Sequence, residues 1–213
     1  MKTPYSQKVI EHFLNPRNAG KIENPDAKAS EGSPACGDMV RVYLKVNPQT
    51  LVIEDIKFES FGCASNIATA SMATEMVRGK TLEEAKKISW KDVVDALGGL
   101  PPVKVHCAVL AVDAIKRAIE NYEHTHGILK EKKPTDKEVI RERLEHVIDP
   151  AAGMDVIRVG TVKDYEIKDG VVTVYLNIPA QRDFASHIKE EIEETLSPLW
   201  DVKEVRVIFS SRD

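Results

Sequence analysis

Five side chains in the first half of the 213-residue chain could do chemistry together: Cys36, Asp38, Cys63, His106 and Cys107. They offer three soft sulfurs, one carboxylate and one imidazole. A tetrahedral zinc ion takes four such ligands. Two irons bridged by sulfides also take four, and soft thiolates favour that outcome. A fully thiolate set holds a cluster firmly, whereas a carboxylate or imidazole in the fourth place exchanges easily. Such a site suits a protein that gives its cluster away. Each residue also has a plainer reading: a cysteine as a small buried hydrophobe, Asp38 as a water-facing strand residue, His106 as helix surface. The cysteines lie far apart in sequence, so residue types alone reach a thiolate metal site and no further.

The elements that must position these groups follow from patterning. Val9, Ile10, Phe13 and Leu14 share one side of a helix over 6–14, which Pro16 ends. A connection rich in Gly, Pro and Asn is expected through Asn18, Gly20, Pro25, Gly32 and Pro34. Alternation of Val40, Val42, Leu44 and Val46 with Arg41, Tyr43 and Lys45 predicts a strand over 39–46. A turn at 47–50 and a returning strand over 51–60 complete a hairpin. Small residues predict a helix over 66–77, Thr81 and Glu84 a capping box for a short helix, and 90–97 another. The last helix of this half covers 103–123. Cys63 and Cys107 therefore fall at or near helix N-termini, where the dipole and free N–H groups favour the thiolate.

Residues 124–134 read as a polar linker. Beyond it, Thr135 and Glu138 predict a capping box and a helix to about 147, then strands over 160–167 and 171–178 joined by an Asp169-Gly170 turn. A helix over 183–196 and a strand over 202–209 follow. The expected fold class is thus α+β, with a second, smaller α+β domain after the linker.

The composition is that of an ordinary globular protein, 42% hydrophobic and 30% charged with net charge −4. The acidic excess lies in the second half, and neither half carries the basic field that nucleic-acid binding requires. No apolar run spans a membrane and the first residues lack a signal-peptide core, so a cytoplasmic protein is expected. The odd cysteine count argues against a disulfide framework, and the lack of C-x-x-C argues against zinc ribbons and thioredoxin-type sites.

Over roughly residues 3–125 the chain resembles the IscU/NifU-type iron–sulfur cluster assembly scaffolds. The carriers are Tyr5-Ser6, Asn15-Pro16-Arg17-Asn18, Cys36-Gly37-Asp38, Phe61-Gly62-Cys63-Ala64-Ser65, Leu100-Pro101-Pro102-Val103-Lys104 and His106-Cys107. The resemblance implies an IscU-like antiparallel sheet packed against helices over 1–128, and a non-enzymatic scaffold on which a 2Fe–2S cluster is built. It implies that Cys36, Cys63 and Cys107 hold the cluster, that Asp38 makes it labile, and that His106 completes the site in some states. The fourth ligand is thus Asp38 or His106. Cys107 is the expected acceptor of persulfide from an IscS/NifS-type cysteine desulfurase, and Lys104 lies beside the site. A ferredoxin-like electron donor and recipient iron–sulfur apoproteins are further implied partners. Leu100 to Lys104 matches the segment read by an HscA-type chaperone, although its prolines also simply pre-set a helix start. Tyr5 matches an N-terminal tyrosine implicated in scaffold association.

Residues 135–213 resemble the small domain of SufT-type maturation factors, through Val147-Ile148-Asp149-Pro150, the Gly160 strand, the Asp169-Gly170 hairpin and Val202-Lys203-Glu204-Val205. Two departures matter: Ala151 replaces an acidic residue after Asp-Pro, and the family's cysteine is missing near Pro179-Ala180-Gln181-Arg182. This half then reads as an accessory docking or structural module. The alternative for the whole chain is a zinc protein using the same ligands for structure or hydrolysis. A cysteine enzyme pairing Cys107 with His106 is disfavoured, because helix neighbours point about 100° apart. The missing thiol generates a prediction: residues 135–213, expressed alone and supplied with iron and sulfide, bind no iron. Stoichiometric iron on that fragment would reverse its assignment.

Overall fold

The structure is a computed structural model that describes residues 5–33, 37–129 and 133–210. Cys36 lies outside the described residues. The chain divides into two compact units, residues 1–122 and 123–213.

In the first unit, α1 (Gln7–Leu14) is capped by Ser6, whose hydroxyl accepts from the Val9 N–H. Three antiparallel strands follow in sheet order β1 (Ala27–Ser33), β2 (Asp38–Val46), β3 (Ile53–Phe61). β1 is a correction to the connection expected there. Ala27, Ala29 and Glu31 are buried opposite Leu44, Val42 and Val40. With two alanines and a glutamate on its inner face, β1 shows no apolar alternation. Tertiary pairing makes it a strand: Glu31 is ion-paired with Arg117, and Asn121 donates to Lys28 O.

The inner face of the sheet carries Val40, Val42, Leu44, Ile56 and Phe58. Against it lies α2 (Ala64–Val77), which is buried on nearly all sides. Ala68, Ala70 and Ala73 permit close approach, while Ser71 and Thr74 satisfy their hydroxyls within the fold. The short helices α3 (Leu82–Lys86) and α4 (Trp90–Ala96) each open on a capping box, Thr81 with Glu84 and Ser89 with Asp92. A 3-10 turn, Pro102–Lys104, then leads into α5 (Val105–Thr125). Val112, Ile115 and Ile119 of α5 are buried, whereas Val105 and Val109 are only half-buried.

In the second unit, α6 (Lys137–Leu144) is capped by Asp136 rather than by the expected Thr135. Thr135 is instead tied to Asp201 through its backbone N–H and its hydroxyl. A two-residue ladder pairs β4 (Ile148–Asp149) with β5 (Met154–Asp155). β6 (Val162–Lys168) and β7 (Val171–Leu176) form an antiparallel hairpin, with Asp169 and Gly170 at positive φ of 52° and 82°. α7 (Ala185–Leu196) connects to β8 (Glu204–Ile208), which lies parallel to β7. Ile188, Ile192 and Leu196 line one stripe of α7 and meet Val172, Val174 and Leu176 in this unit's core. No helix among the described residues is long and apolar enough to cross a membrane.

Asp149 organises the irregular part of this unit. It is 1% exposed and accepts from Arg182 (2.7 and 3.2 Å), Thr161 (2.5 Å) and the Ala151 N–H (3.0 Å). Burial opposes its ionisation, but the bonds from Arg182, Thr161 and Ala151 outweigh that and hold its pKa below the usual carboxylate value. Because the folded pKa is depressed, this stabilisation is complete above the unfolded value of about 4 and is lost as pH falls through the folded one. Arg182→Ala, which strands a buried charge, is expected to destabilise this unit by about 3 kcal/mol at neutral pH. Calorimetry checks it, and Asp149→Asn should flatten the acid dependence of that transition.

Candidate metal centre

Each described site residue stands where regular structure begins. Asp38 is the first residue of β2, Cys63 is the N-cap of α2, and His106 and Cys107 lie in the first turn of α5. Residues distant in sequence thereby meet at one end of the sheet. The Cys63 and Cys107 Sγ atoms are 3.8 Å apart, and His106 Nε2 is 3.5 Å from Cys107 Sγ and 3.0 Å from Asp38 Oδ2. One ligand atom each from Asp38, His106 and Cys107 lies within 4.8 Å of the others, a spacing suited to a metal ion. Lys104 brings its Nζ to 3.6 Å from Cys63 Sγ.

The two described thiols differ sharply. Burial disfavours the Cys63 thiolate, but the Asn66 N–H and the Cys107 thiol more than compensate, so its pKa is lowered. Cys107, fully buried, moves the other way. Burial, reinforced by the negative charges at Cys63 and Asp38, pushes it up to about 12. Its place in the first turn of a helix was expected to favour the thiolate, and desolvation overrides that dipole. Lys104 is held more firmly protonated, chiefly by the charge on Cys63. Asp38 is half-buried, which by itself raises a carboxyl pKa. Bonds from His106 and the Cys63 N–H reverse the effect and keep it ionised.

His106 does reach Cys107, against the expectation from helix geometry, with its Nε2 3.5 Å from the Cys107 Sγ. The contact still lacks the arrangement of a nucleophile–base–orienter triad. Asp38 and Cys107 both address the same nitrogen, Nε2, whereas a triad places its carboxylate on one ring nitrogen and its nucleophile on the other.

Two positioning residues escaped the sequence reading. Asn66, fully buried, points its Nδ2 at Met39 O (3.1 Å), Ser60 Oγ (3.0 Å) and Phe61 O (3.3 Å). It clips the start of α2 to β2 and β3, the strands that deliver Asp38 and lead to Cys63. Thr69 places its hydroxyl 3.1 Å from Cys107 O. The only signal in the sequence is polar residues within a helix of small ones, and it names no partner. Of the expected chaperone segment, Leu100 packs partly against the core, while Pro102 and Val103 are exposed, Val103 by 76%. Tyr5 also packs against that core.

The fold and site together define an α+β protein with a thiolate, carboxylate and imidazole centre. The sequence family described as NifU-like N terminal domain matches residues 4–128, and the one described as Iron-sulfur cluster assembly protein matches residues 137–207. Iron-sulfur cluster assembly scaffold protein IscU 1 of Archaeoglobus fulgidus is 52% identical over 141 residues, covering 66% of this chain and 91% of that one. Its namesake IscU from Escherichia coli K12 is 49% identical over 121 residues, covering 55% and 93%. A crystal structure titled as a putative scaffold protein from Fervidobacterium islandicum aligns at 26% identity over 54% of this chain and 96% of that one, with a TM-score of 0.46. The chain belongs to the NifU/IscU family of iron–sulfur cluster assembly scaffolds and carries a second iron–sulfur assembly domain behind it. The zinc alternative draws no support from these relatives.

The contrast between the thiols predicts an order of modification. Limiting iodoacetamide at pH 8 should alkylate Cys63 well before Cys107, as read by peptide mass spectrometry; Cys107 labelling first would contradict the site electrostatics.

Proposed function

We propose that this chain receives sulfur from a cysteine desulfurase, combines it with iron into a 2Fe–2S cluster at Cys36, Cys63, Cys107 and either Asp38 or His106, and passes that cluster to recipient apoproteins. The observation that carries this reading is the convergence of Asp38, Cys63, His106 and Cys107 on one spot. The cluster is cargo, so a firm resident site would defeat the purpose.

Cys107 is the acceptor of sulfane sulfur in this scheme. Its thiol is held protonated by burial, so attack first requires loss of that proton to solvent; His106 Nε2, 3.5 Å away, already donates its N–H to Asp38 and is not free to take it. The Cys107 thiolate then attacks the outer sulfur of the desulfurase persulfide. A new S–S bond forms on Cys107, and the desulfurase leaves as its own thiolate. Cys63, the more acidic thiol, is ready to meet iron. A ferredoxin-type donor supplies the electrons that reduce sulfane sulfur to bridging sulfide. In transfer, a recipient thiolate displaces the hard ligand, Asp38 or His106, because a carboxylate or imidazole leaves iron more readily than a thiolate does. The exposed Pro102 and Val103 beside the site make Leu100 to Lys104 available to a chaperone. The second domain, without a thiol, serves as an accessory module.

Anaerobic incubation with iron, cysteine and a desulfurase tests the reading. A coloured protein with about equal iron and acid-labile sulfide is expected, and a protein that takes up iron without sulfide would refute it. Asp38→Ala should still assemble a cluster but release it to a recipient more slowly; unchanged transfer kinetics would remove Asp38 from the exchange step.

A further inference from the structure

Gly62 stands between the strand that ends at Phe61 and the N-cap Cys63, with φ of +155°. A Cβ built on it would overlap the Asp38 Oδ1 atom and come within 2.9 Å of Asn66 Nδ2. The space that glycine leaves is therefore filled by the Asp38 carboxylate. From there Oδ1 accepts the Cys63 N–H at 3.1 Å while Oδ2 meets His106 Nε2 at 3.0 Å. Asn66 closes the far side by holding Met39, Ser60 and Phe61. Backbone freedom and steric room coincide at this one residue.

We propose that Gly62 is a positioning residue for cluster exchange: by lacking a side chain, it seats the Asp38 carboxylate on the Cys63 amide, next to both described thiols. Gly62→Ala leaves the carboxylate in the protein but expels it from its seat. The variant should then behave as Asp38→Ala does, although its ligand inventory is unchanged. Only the transfer part of this inference rests on the scaffold reading; the seat itself is a property of the protein without cargo.

The test compares the wild-type full chain with Gly62→Ala, Asp38→Ala and the double variant. In metal-free protein, hydrogen exchange at the Cys63 amide should accelerate about tenfold in either single variant, the loss of one charge-assisted bond, with no further gain in the double. Cobalt(II) titration should give equal thiolate-to-cobalt absorption per protein in all four. The d–d bands of Gly62→Ala should shift to the positions shown by Asp38→Ala. Should Gly62→Ala be too unstable for exchange measurements, the double variant must melt higher than it, because removing the carboxylate relieves the overlap. Wild-type protection of the Cys63 amide, wild-type cobalt bands in Gly62→Ala, or a double variant no more stable than Gly62→Ala would each overturn the proposal. Cluster transfer from the two single variants should slow by the same factor; if these metal-free and cobalt results hold while transfer is unchanged, the seat stands and its role in exchange falls.

Discussion

One carboxylate with its two oxygens committed to two different segments underlies the whole metal centre. Asp38 begins β2, its Oδ1 takes the amide that precedes α2, and its Oδ2 takes the imidazole at the start of α5. Three chain segments that meet nowhere else in sequence are joined through four atoms of one short side chain. The arrangement depends on bare backbone at Gly62 and on the Asn66 amide that holds β2 and β3 to α2. Both are unremarkable residues by type. Their importance comes from lying at a crossing where a methyl group has no room.

The same carboxylate shapes the electrostatics. A half-buried negative charge at Asp38 disfavours the thiolate at both cysteines, adding to their burial. Cys63, which meets the Asn66 and Ser65 N–H groups and the Cys107 thiol, is the more acidic of the two, while burial pushes Cys107 up to about 12. The two sulfurs, 3.8 Å apart, are thus chemically distinct before any cargo arrives. That asymmetry suits stepwise loading, in which one thiol meets metal and the other meets sulfur.

The second unit uses a buried carboxylate for a different end. Asp149 gathers Arg182, Thr161 and a backbone amide, so every strong acceptor direction is spent on protein donors. Arg182 follows Pro179-Ala180-Gln181, and its guanidinium is occupied by Asp149. With both groups bound to each other, this loop is braced by a buried ion pair.

Much of this was legible in the residues. Alternation from Val40 to Val46 placed β2, the Thr81–Glu84 pair placed α3, and Asp169-Gly170 placed the β6–β7 turn, because each is a local rule acting over a few residues. β1 was not legible, since Ala27, Ala29 and Glu31 become an inner face only when β2 and Arg117 lie opposite. Nor was the choice of Asp136 over Thr135 as the cap of α6, which turns on Asp201 claiming the threonine. The sequence by itself determined the ligand types, the helix starts that carry Cys63 and Cys107, and the family, for these are written in short motifs. Tertiary structure alone decided which thiol is the more acidic, that His106 reaches Cys107, and why residue 62 must lack a side chain. Burial, through-space charge and steric exclusion depend on neighbours that the order of residues does not disclose.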